Sequence, residues 1–161
     1  EEVKKMKIAE KIKENFVGNE IKDVNLVYRL VANMPYEPKD LTSVSKNLID
    51  GFYDCDNGSL VLASILLNLG YKPIDILIAR YEYPPHLFIL LRPKEKKSED
   101  ILRSREKACY IYHKGRNYYA LDSRLAKHSS NGEIISHWGD CNGESYERIP
   151  DELYDVTEVF P

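Results

Sequence analysis

Glutamine is missing altogether from the 161 residues, while Lys, Glu, Ile and Tyr are plentiful; this is the composition of a heat-adapted protein. No apolar run reaches the roughly 18 residues that a membrane-spanning helix needs, and no signal-peptide pattern is present. The chain opens on Glu1 rather than Met, so it is expected to be a piece of a longer protein, and its compartment stays open. A basic excess is also lacking, with a net charge of −3 and a pI near 5.9. Nucleic-acid-binding proteins normally carry a basic field, so no nucleic-acid partner is expected. Cysteine is scarce. Cys55, Cys109 and Cys141 are odd in number and show no CxxC spacing, which argues against a disulfide framework and against a structural zinc site. Apolar residues at 43 % and charged residues at 30 % are an ordinary globular balance. The length fits one domain, residues 1–161, with a sizeable core.

What is present divides into a helical half and a strand-rich half. Residues 3–16 place Val3, Met6, Ile8, Ile12 and Phe16 near helical spacing among lysines and glutamates, predicting an exposed amphipathic helix. VNLVYRLVANM predicts a second helix, ended by Pro35, and residues 36–54 read as a long connection. From Leu60 to Leu69 the chain is apolar on every face, so the helix predicted there is buried. Asp54, Asp56 and Asn57 are capping types at its start. Gly70 suits its C-terminal cap, and Pro73 forbids continuation. Strands are predicted at 74–80 and 86–91 around a YPP turn, and at 108–113 and 117–122 around Lys114-Gly115-Arg116. The charged stretch 92–107 reads as a solvated excursion with a helical turn, and 155–160 as a short closing strand. Helices first and strands afterwards give α+β.

Cys55 therefore falls at the first turn of the buried helix, between two aspartates. A thiol reacts as its thiolate, and a helix N-terminus favours that anion through its dipole and free N–H groups. The same N–H groups can hold a developing oxyanion. A cysteine nucleophile also needs a base, and the base needs an orienter. Of the histidines, His113, His128 and His137 lie at a turn or in the polar tail, whereas His86 opens an apolar strand after Pro84-Pro85. Asp122 closes YYALD. His86 and Asp122 can meet only if 117–122 lies between 86–91 and 108–113, with 92–107 crossing over.

VANMPYEP (31–38), DCDNGSLVLASILLNLGYK (54–72), the strand beginning HLFILL, the hairpin ending YYALDS and the closing ERIPDELYDVTEV together resemble the transglutaminase-like cysteine hydrolase superfamily, and within it the small microbial domains with a DCD-type cysteine motif. The resemblance covers most of the chain. It implies a papain-like core, with a central buried helix carrying Cys55 at its N-terminus packed on an antiparallel sheet. It also implies a Cys55–His86–Asp122 triad. The backbone N–H of Cys55 would be one oxyanion donor. Relatives often carry Gln where this chain has Ala32 followed by Asn33, and the second donor is open among Asn33, Tyr36 and Tyr53.

The function expected is a thiol-dependent hydrolase or acyl transferase acting on amide bonds of a peptide or protein, with no metal and no cofactor. The rival from another class is a non-catalytic peptide- or protein-binding module that keeps the fold. A calcium- or nucleotide-regulated transglutaminase would need an acidic loop cluster or a glycine-rich phosphate loop, and neither is in the sequence. Plainer roles stand beside the sharp ones. Cys55 alone would be a small core residue, His86 a capped histidine at a strand edge, and Asp122 a turn residue or a partner of Arg124. Cys109 is expected to be core and Cys141 a loop residue. His137 and Cys141 are too few ligands for a metal. Tyr110, Tyr112, Tyr118 and Tyr119 are read as the two faces of a hairpin.

Overall fold

The computed structural model describes residues 9–32, 55–83, 85–106, 108–122, 137–140 and 150–156, with the main chain alone at 55–57 and 85. Residues 9–13 are helical and bury Ala9 and Ile12. The next helix, α1 (Glu20–Ala32), starts where the Asn19 side-chain oxygen accepts the Lys22 N–H at 3.1 Å, a cap that satisfies one of the free donors of the first turn. Val24, Val27, Tyr28 and Val31 recur at helical spacing and are all buried.

Helix α2 (Cys55–Asn68) is the buried one. Leu60, Leu62, Ala63, Ile65 and Leu66 are essentially inaccessible. Gly70 takes a φ of +103°, and the N–H groups of Gly70 and Tyr71 return to the carbonyls of Leu67 and Leu66 at 3.2 and 3.1 Å. This is the glycine-terminated cap expected from the sequence.

Five strands follow: β1 (Ile76–Glu82), β2 (Pro85–Leu91), β3 (Tyr110–His113), β4 (Arg116–Leu121) and β5 (Glu152–Asp155). They form one antiparallel sheet in the order β3-β4-β2-β1-β5. Lys114 and Gly115 both have positive φ, 49° and 81°, as a two-residue hairpin turn requires. β4 thus lies between β3 and β2, the order that a His86–Asp122 encounter demands. One face of the sheet, with Ile76, Ile78, Leu87, Ile89, Leu91, Tyr119 and Leu121, packs with α1 and α2. The other carries Leu77, Ala79, Tyr81, Phe88, Leu90, Tyr118 and Ala120. The architecture is α+β.

Several local expectations change. The charged stretch holds a nine-residue helix, α3 (Lys96–Ser104), because Ser98 and Leu102 give it one buried stripe. A 3-10 turn at Pro73–Asp75 delays β1. β5 pairs with β1 from Leu77↔Asp155 to Arg80↔Glu152, and the strand expected at 155–160 lies outside the described residues from 157 on. Tyr118 and Tyr119 are buried while Tyr110 and Tyr112 are exposed. The cysteine reading needs a correction: Cys109 is disulfide-bonded. It lies just before β3, where its N–H meets the Gly139 carbonyl at 2.7 Å and Ala108 bridges Asp140. Strand alternation in the sequence carries no sign of that distant neighbour. Among the described residues, no helix is long and apolar enough to cross a membrane.

Candidate active site

β2 and β4 bring two ionisable side chains together at one end of the sheet. The pair Ile89↔Leu121 sets the register, so Asp122, one residue past β4, falls level with Phe88. His86 lies two residues from Phe88 on the same strand and hence on the same face. The diagonal gap is spanned by the side chains: His86 Nε2 lies 2.6 Å from Asp122 Oδ2, and both residues are buried, at 6 % and 1 % exposure. The imidazole also stacks on Phe88, with ring centroids 5.7 Å apart. An ionised carboxylate can only accept, so it selects the tautomer with the proton on Nε2 and puts the basic lone pair on Nδ1.

Each member of the pair is held through a main-chain carbonyl beside it. The Tyr28 hydroxyl of α1 donates to the Asp122 carbonyl. The Ser59 hydroxyl of α2 donates at 3.2 Å to the carbonyl of Leu87, the residue after His86. Neither role was legible in the sequence. Tyr28 read only as one residue of the second predicted helix, and a buried tyrosine announces that its hydroxyl needs a partner but not which one.

Cys55 is the first residue of α2, one helical turn before Ser59. The helix runs in the same direction as β2. Its C-terminal cap comes against the segment after β2, where Lys94 Nζ is 4.2 Å from the Tyr71 ring centroid. Its N-terminus therefore stands at the end of the sheet that holds His86 and Asp122. The body of α2 covers the odd-numbered face of β2, however, and His86 is on the even-numbered one. Only the tip of the helix, not its flank, is placed to approach the imidazole. The donor candidates Asn33, Tyr36 and Tyr53 lie outside the described residues, as do His128 and Cys141. His113 sits at the hairpin turn on the edge strand, and His137 is next to Asp140, with Nδ1 3.5 Å from its carboxylate; neither joins His86. Among the described residues, no three His, Cys, Asp or Glu side chains gather as a metal site would require.

Comparison with protein-family models finds no match. Comparisons with curated proteins and with solved structures find no significant match either.

Proposed function

We propose that this chain is a transglutaminase-like cysteine hydrolase, or acyl transferase, acting on amide bonds of peptides or proteins. The observation that carries the reading is the buried 2.6 Å contact between His86 and Asp122, at the end of the sheet where α2 begins with Cys55. In this reading Asp122 fixes the imidazole, and His86 accepts the Cys55 thiol proton through Nδ1. The thiolate attacks the substrate carbonyl carbon, and the backbone N–H of Cys55 steadies the oxyanion. Collapse breaks the C–N bond, the imidazolium proton leaves with the amine, and an acyl-thioester remains. Water then gives a proton to His86 and its oxygen to the acyl carbon, and the thiolate departs. An amine in place of water would make the same site a transferase.

One observation favours the binding module instead: His86 faces away from the body of α2. Labelling with a library of thiol-directed peptide electrophiles separates the two. The hydrolase is expected to be modified at Cys55 by a subset of peptides, with the modification abolished by Cys55→Ala. Saturable peptide binding with no modification of Cys55 would support the module.

A further inference from the structure

We propose that Tyr28 is a positioning residue for the His86–Asp122 pair; the inference rests on reading that pair as the base and its orienter. Asp122 occupies an awkward place. β4 ends at Leu121, so Asp122 lies one residue past the paired stretch of β2 and β4. Its carboxylate must nonetheless hold a ring nitrogen at 2.6 Å. The Tyr28 hydroxyl, reaching across 94 residues of sequence, donates to the main-chain carbonyl of Asp122. That bond pins the peptide from which the carboxylate projects.

Tyr28 is itself held firmly. It is 1 % exposed and sits on α1 between Val24, Val27 and Val31, which pack against the same core as α2. The ring cannot swing without disturbing that core. Tyr28 therefore refers the orientation of Asp122, and through it the tautomer and aim of His86, to the two helices rather than to the end of a strand. Removing the hydroxyl takes that donor from a buried carbonyl and loosens one tie on the Asp122 peptide.

The test compares Tyr28→Phe with Tyr118→Phe. Tyr118 also donates to a main-chain carbonyl, that of Ile74, at 2.9 Å, but at the other end of β4. Each substitution removes one hydroxyl and the hydrogen bond it donates to that carbonyl. Nitrogen-edited NMR of the imidazoles is expected to show His86 of the wild type as the Nε2-protonated tautomer, with its N–H proton far downfield. Tyr28→Phe is expected to move that proton upfield and mix the tautomers, and to slow Cys55 alkylation at pH 6 by about five-fold, the scale of one hydrogen bond. Tyr118→Phe is expected to leave both unmoved. A His86 signal unchanged in folded Tyr28→Phe, or changed equally in Tyr118→Phe, overturns the proposal. If Tyr28→Phe does not fold, carbonyl-labelled aspartate in the wild type decides: an Asp122 carbonyl without the downfield shift of a hydrogen-bonded group overturns it. If the His86 signal moves while His86→Ala leaves Cys55 reactivity untouched, the hydrolase reading fails and the role of Tyr28 in orienting His86 stands.

Discussion

Tyr119 buries its hydroxyl with no hydrogen-bond partner among the described residues. Burial, and then the Glu99 charge, push its phenol up to about 12. An acid raised in the folded state supports stability fully below its unfolded value near 10, and that support is lost as pH rises from about 10 through about 12. Tyr119→Phe should therefore be neutral or stabilising by up to about 1 kcal/mol at pH 7, since a desolvated orphan is removed. It should also move the alkaline unfolding midpoint upward. Urea unfolding at pH 7 and an alkaline titration followed by circular dichroism check both signs. At the candidate site, Asp122→Asn is expected to cost less than the roughly 10⁴-fold lost when the acid of a serine triad is replaced, because a thiol is intrinsically more nucleophilic. His86→Ala should cost more. Kinetics of the two variants on any peptide that the electrophile library identifies would rank them, and a fully active His86→Ala enzyme would take His86 out of the mechanism.

Glu20 is the residue on which several elements converge. Its carboxylate accepts the Tyr71 hydroxyl at 2.8 Å, the Lys94 N–H at 2.7 Å and the Glu95 N–H at 3.0 Å. It thereby joins the start of α1, the end of α2 and the entry to α3. Burial, with the Glu20 charge next, holds the Tyr71 phenol well above its ordinary range. Glu20→Ala leaves the part-buried Tyr71 hydroxyl without this acceptor, while the exposed Lys94 and Glu95 N–H groups turn to water; it should cost about 1 kcal/mol, read as a lower urea midpoint at unchanged slope. Nothing in the sequence marks Glu20 apart from any acidic residue in a helix's first turn. The elements themselves were more legible. Gly70 with Pro73 gave away the end of α2, Lys114-Gly115 the hairpin whose second arm leads to Asp122, and the short apolar run HLFILL the strand that carries His86. α3 was missed because a short stripe formed by Ser98 and Leu102 is too sparse to stand out among lysines and glutamates. A strand at Glu152–Asp155 was not foreseen because its partly buried residues alternate weakly. Local pattern thus reports local structure, while Tyr28, Ser59, Glu20 and the Cys109 disulfide depend on neighbours 28 to 94 residues away or on one that the sequence does not announce.

For the molecule as a whole, the proposed function depends on an activated thiol at the head of α2. Cys109 is disulfide-bonded; it lies level with Ala120, whose N–H donates to its carbonyl at 3.0 Å, two strand positions from β2 and on the face away from α2. The same function requires that the Cys55 thiol be free. On the proposed reading the N-terminus of α2 favours a thiolate at Cys55 through its dipole and free N–H groups. The most direct measurement is the alkylation rate of the native protein by iodoacetamide at pH 6, against free cysteine, whose thiol titrates near about 8.5. Mass spectrometry under non-reducing conditions would locate the label. The expected result is Cys55 labelled first, faster than free cysteine, and slowed by His86→Ala. A Cys55 that reacts no faster than free cysteine, or a label that appears first on another cysteine, would contradict an activated nucleophile at the head of α2.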